Sequence, residues 1–150
     1  MRTVRETRVT SVCPQFVLRE QKMSKHDLLM CAKFSPQNSI IFVADPDNKY
    51  EVPNDTGAAL VTHSGSCIAV GALAEMDGET TVSIETGERT ANLQIAYTGT
   101  IDTPNRKIAV IDVSGKTWII CSVQRATTHV TIRVNDPSEP DRIAIVLDQS

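Results

Sequence analysis

The chain is 150 residues long, 41% hydrophobic, 22% charged and only 4% aromatic, which suits one compact domain, residues 1–150, and leaves little room for a second. Its net charge of −3 is uneven: residues 1–25 hold six basic and two acidic side chains, so residues 26–150 carry −7, a sign that repels phosphates and, with no stretch interleaving Arg or Lys with aromatic platforms, argues against nucleic acid as a partner. No apolar run approaches the roughly 20 residues of a bilayer span and the start lacks the apolar centre of a signal peptide, so no membrane is expected and the expected location is cytoplasmic.

Val and Ile number 15 and 13 against 7 Leu, with 16 Thr besides. Side chains branched at Cβ are stiff at χ1 and pack well on a pleated surface, so the composition favours strands. The first of these is expected in the segment 9–19, interrupted at Pro14, which cannot donate to a central ladder; the preceding Arg2, Arg5 and Arg8 read as a solvated edge or end. Residues 24–34 fit two structures. Ser24 followed three residues later by Asp27 resembles a helix N-cap box, while a strand through Leu28 to Phe34 explains the same apolar residues.

Residues 39–44 form a continuous apolar run, a buried strand, ending at the turn chemistry of Asp45-Pro46-Asp47-Asn48. A long loop is expected over 45–57. Further turns are expected at Ser64-Gly65, Asp77-Gly78, Gly87, Pro104-Asn105, Ser114-Gly115 and 136–141. Between them one parity is apolar: Val82 and Ile84; Leu93, Ile95 and Tyr97; Val130, Ile132 and Val134. That period of two describes sheets with one face in a core and one in water. Segments 67–73, 106–113, 117–123 and 142–148 are apolar on both parities, as central strands are. The fold expected is all-β, an antiparallel β-sandwich or distorted barrel of about nine or ten strands with at most one short helix.

Chemistry is sparse. Cys13, Cys31, Cys67 and Cys121 form no CxxC pair and have no histidine at ligand spacing, so four reduced thiols and no metal are expected. His26, His63 and His129 fall on separate elements, and His129 lies on the polar parity of its strand, which predicts exposure. Ser64-Gly65-Ser66-Cys67 lacks the spacing of a nucleophile elbow and reads as a turn. Gly65, Gly71 and Gly78 match neither phosphate-binding glycine pattern. No cofactor is implied. The carboxylates of Asp45, Asp47, Asp55, Asp136, Glu139 and Asp141 all lie in loops; solvation is their ordinary role, and two acidic loops on an acidic body are also the candidate surface for steering a basic partner.

Several segments together resemble the bacterial competence nuclease inhibitor-like family of β-rich proteins. They are 9–19 (VTSVCPQFVLR, with Gln15-Phe16), 65–72 (GSCIAVGA), 103–110 (TPNRKIAV), 129–135 (HVTIRVN) and 141–147 (DRIAIVL), similar in order and spacing across most of the chain. The resemblance implies a β-sandwich binding protein and, beyond that, an inhibitor or immunity-type protein against a nuclease or toxin; it carries over no functional residue. With no catalytic constellation in sight, a non-enzymatic binding module is the leading expectation. Its rival is a small enzyme or ligand-binding β domain whose site assembles only in the fold, near His63 and the 45–55 loop. A symmetric homodimer, paired through strands 128–135 or 142–148 at a sheet edge, is a further expectation.

Overall fold

The structure is a computed structural model and describes residues 27–54, 59–87 and 93–148. The expected strand at 9–19, Cys13, His26 and Asp55 lie outside the described residues. Ten strands run through the described part: β1 (Asp27–Phe34), β2 (Ile40–Ala44), β3 (Val61–His63), β4 (Cys67–Gly71), β5 (Thr80–Thr86), β6 (Gln94–Asp102), β7 (Lys107–Ile111), β8 (Thr117–Ser122), β9 (Thr127–Val134) and β10 (Arg142–Asp148). Residues 27–34 are therefore strand, and the helical pieces among the described residues are two single 3₁₀ turns, Gln37–Ser39 and Glu75–Asp77.

The strands form two separately hydrogen-bonded sheets, a sandwich and not a barrel. The first has the order β1-β5-β10-β9-β6 and the second β3-β4-β2-β7-β8. All pairs are antiparallel except β5 with β10, which run parallel from Thr81↔Arg142 to Thr86↔Leu147. β9 and β10 are interior strands, which overturns their expected place at an edge, and β8, expected to be central, is the edge. Its run is apolar on both parities for two reasons: a bulge, in which Val110 pairs with Ile119 but Ile111 with Thr117, leaves Trp118 as the extra residue, and Ile120 is an apolar side chain on the exposed face.

One apolar core lies between the sheets, with Phe34, Val82, Ile84, Ile101, Ile132 and Ile145 from the first meeting Ile41, Val43, Ile68, Val70, Ile108 and Val110 from the second. The second sheet buries its other face too: Phe42, Ala44, Cys67, Ala69, Ala109 and Ile111 form a smaller cluster, with Ile40 and Tyr50 packed against it. Two covered faces are the physical reason that β2, β4 and β7 read as unbroken apolar runs.

Aromatic contacts join the sheets along both seams. Phe34 of β1 stacks on Trp118 of β8. On the opposite seam His63 of β3 meets Tyr97 of β6 with ring centroids 5.0 Å apart, while Asp102 donates its amide to Gly65 O at 2.9 Å. The Tyr97 ring lies across Gly99, where a Cβ would stand 2.2 Å from the phenol oxygen.

Cys67 and Cys121 are free thiols, whereas Cys31 is disulfide-bonded, which corrects the expectation of four reduced cysteines. Wide sequence separation does not keep two cysteines apart once a strand has placed one of them, so spacing alone misled. None of the described helical segments is long and apolar enough to cross a membrane.

Candidate partner-binding surface

The strand directions give the sandwich two ends, and the six carboxylates singled out in the sequence divide between them. β2 begins beside Ala72, whose amide donates to Ser39 O, and Leu73 in turn donates to Pro140 O at 2.9 Å; this is the Pro140 end. β2 finishes at Ala44, and the next residue, Asp45, reaches the β6–β7 turn at Asn105; this is the Asp45 end. Loops 45–54 and 136–141 thus lie at opposite ends and do not make one surface.

At the Asp45 end the leading acid is enclosed. Asp45 is fully buried and accepts the Asn105 amide at 2.6 Å and the Asp47 amide at 3.0 Å. It is a brace between two turns, its oxygens met by backbone N–H groups. Asp47 is exposed and paired with Lys107 at 2.7 Å; the hydrogen bond and charge of Asp47 push the ammonium pKa up. The loop folds back on the β3–β4 turn, where Glu51 accepts from Ser64 Oγ and donates its amide to Ser66 Oγ at 2.9 Å. His63, the first residue of the rival enzymatic reading, contacts Tyr97. Among the described residues no group of three or more His, Cys, Asp or Glu side chains is arranged to hold a metal ion.

At the Pro140 end the structure adds to the predicted set. Thr81 donates its amide to Asp141 O at 2.8 Å and Leu73 to Pro140 O, so the β4–β5 connection lies against the β9–β10 loop. Glu75, Asp77 and Glu79 thereby join Asp136, Glu139 and Asp141 at one end. Among them stands Met76, 87% exposed, on the 3₁₀ turn Glu75–Asp77. The sequence signal for these residues is three carboxylates within 75–79, which the Asp77-Gly78 turn pattern overlies; Gly78 has a positive φ of 136° but leads from the 3₁₀ turn into β5 and closes no hairpin, since β4 and β5 belong to different sheets.

This end is held in shape by its own side chains. One oxygen of Asp136 accepts the Ser138 amide, the Ser138 hydroxyl and the Glu139 amide at 2.8–3.0 Å, and those bonds hold its pKa below the usual carboxylate range. The Asn135 side chain closes the loop, donating to Asp141 Oδ1 at 2.7 Å and accepting from the Asp141 and Arg142 amides. Glu75 accepts the Asn38 amide at 3.2 Å and Ser35 Oγ donates to Gly78 O. A surface already fixed before contact loses less conformational entropy on binding.

No family model and no curated protein sequence matches the chain. Its fold is shared with solved structures. ComJ, inhibitor of the DNA degrading activity of NucA, from Bacillus subtilis, superposes with a TM-score of 0.64 at 12% identity, over 85% of this chain and 100% of that one. The crocagin biosynthetic gene J protein superposes with a TM-score of 0.53 at 10% identity, over 83% and 97% of the two chains. The resemblance to the competence nuclease inhibitors thus holds at the level of the fold.

Proposed function

We propose that this chain is a non-enzymatic inhibitor-type module that binds a basic protein, a nuclease, and blocks access to its active site. The observation that carries this reading is the ordered end that gathers Glu75, Asp77, Glu79, Asp136, Glu139 and Asp141 against the cations Lys33 and Arg142, with exposed Met76 on the turn between Glu75 and Asp77. The likeness in fold to an inhibitor of a DNA-degrading nuclease supports it. Carboxylates of one sign accelerate encounter with a basic surface, and an apolar side chain at the centre of the contact supplies the area that slows release. In this reading the Asp45 end has a structural duty, since Asp45 is consumed by the Asn105 turn.

The test is a pull-down from the source cells at low and high salt, followed by measuring the DNA-degrading activity of any recovered nuclease with and without this chain. Salt-sensitive recovery and stoichiometric loss of DNA degradation support the proposal. A nuclease that digests DNA at full rate while bound, or recovery of a small metabolite and no protein, overturns it.

A further inference from the structure

We infer that β6 is a docking edge for a second copy of this chain, the two β6 strands pairing antiparallel about a two-fold axis so that the first sheets of both copies become continuous. At nine residues β6 is the longest of the described strands, and among the described residues it pairs with β9 alone. The direction of its main-chain groups follows from two bonds at its end. Asp102 sends its amide away from β9 to Gly65 O, whereas Thr103 sends its amide to Ala126 O on the β9 side. Alternation along a regular antiparallel strand then turns the N–H and C=O of Thr98 and Thr100 toward the open edge.

Open edges are ordinarily blunted by charge, proline, bulges or brevity, and the other edge strands among the described residues are. β3 has three residues; β8 is bulged at Trp118; β1 carries Lys33 and a register shift between Leu28 and Met30. β6 has neither charge nor proline from Gln94 to Ile101. Its single irregularity, between Ile95 and Tyr97, leaves residues 97–102 regular and turns Ile95 outward, 57% exposed. On a body of net negative charge this is where two copies meet without opposing like charges. The edge is also self-complementary. In the antiparallel registers that join these outward groups, Thr98 or Thr100 faces another threonine, extending the Thr98–Thr131 hydroxyl pair at 2.9 Å, as the isologous contact of a two-fold dimer requires.

Light scattering across the micromolar range, amide hydrogen exchange, and the double variant Thr98→Lys/Thr100→Lys test this. Both threonines are exposed and their main-chain groups are not used by β9, so the variant keeps its sheet, which circular dichroism verifies. The expected result is twice the 16.4 kDa of one chain for the parent and a single chain for the variant, with the Thr98 and Thr100 amides of the parent exchanging about ten-fold more slowly in concentrated than in dilute samples. A parent that is monomeric throughout the range, a dimer that survives the double substitution, or a dimer whose Thr98 and Thr100 amides exchange freely overturns the inference. So does a monomeric parent that uses this edge only for a strand of another protein.

Discussion

The rings of Phe34 and Trp118 lie 4.1 Å apart between centroids and 6° from parallel, one on an edge strand of each sheet. The bulge in β8 is what turns Trp118 toward β1, and two further contacts hold the indole there. Its N–H donates to Asp112 Oδ2 at 2.9 Å, and the Lys116 ammonium sits 3.8 Å from the ring centre. Asp112 in turn accepts from the Ser114 amide and hydroxyl and the Lys116 amide on its other oxygen. The stack therefore ties the inter-sheet seam to the β7–β8 turn.

Replacing Trp118 by alanine removes the stack and leaves Asp112 Oδ2 without its donor. Large-to-small substitution of an aromatic of this kind costs about 3 kcal/mol, read as a lower urea midpoint by circular dichroism. A loss under about 1 kcal/mol, the scale of one ordinary hydrogen bond, would show that the seam is held elsewhere.

Asp112 also sets a pH dependence. Burial acts to raise its pKa, but the hydrogen bonds from Ser114, Trp118 and Lys116 outweigh it, and the net shift is downward from 3.8. The folded state thus prefers the charged carboxylate, so its contribution to stability is complete above the unfolded value and drains away as pH falls through the lower folded value. Urea unfolding at descending pH is expected to show the parent losing stability in that acid window and Asp112→Asn, weaker at neutral pH, losing less. Parallel curves would remove Asp112 as the linked group.

Thr80 carries a hydroxyl that is buried and finds no hydrogen-bond partner among the described residues. Thr80→Val keeps the shape and deletes the unpaired group, so it is expected to stabilise the fold by about 1 kcal/mol, seen as a raised melting temperature. A lowered one would mean that the hydroxyl is satisfied in solution.

Burial pushes the Cys67 thiol up to about 12 and the Cys121 thiol up to about 11. Neither is a thiolate at neutral pH, so both are expected to be silent toward a thiol reagent in the native protein. Denaturant without reductant exposes both, while Cys31 reacts only after reduction. Prompt labelling of all cysteines in unreduced denaturant would contradict the bond at Cys31.

Charge reversal at the Pro140 end checks the proposed docking. Glu75→Lys with Glu139→Lys is expected to slow association with a nuclease partner and flatten its salt dependence, with a smaller effect on dissociation. Asp47→Lys, at the other end, is expected to leave the rate nearly unchanged. The reverse ranking would move the surface to the Asp45 end.

The period of two carried much of the fold, and its failures share a cause. Leu93, Ile95 and Tyr97 read as one apolar face, yet the register shift between Ile95 and Tyr97 reverses the parity and puts Ile95 outside. In β8 a bulge at Trp118, together with exposed Ile120, made an edge strand read as a central one. Bulges are set by pairing with a neighbour, which a single strand does not display. The interior position of β9 and β10 is likewise a fact of long-range order. Of the acidic loops, 136–141 was legible as an exposed turn, but its company with Glu75, Asp77 and Glu79 depends on two backbone bonds between distant segments. Asp45 looked like a solvated turn residue because nothing local announces that Asn105 will supply its donors.

The parallel pairing of β5 with β10 has a bearing on synthesis. As the chain leaves the ribosome, β5 has β1 to pair with on one side and an open slot on the other, and β6 and β9 emerge before the strand that fills it. The first sheet cannot close until residues 142–148 arrive, whereas the second, β2 to β4 with β7 and β8, can be zipped by neighbours already made. A nascent chain paused before β10 therefore holds Val82, Ile84, Val130 and Ile132 around a vacant strand position, the state in which capture by a chaperone or by another unfinished copy is favoured.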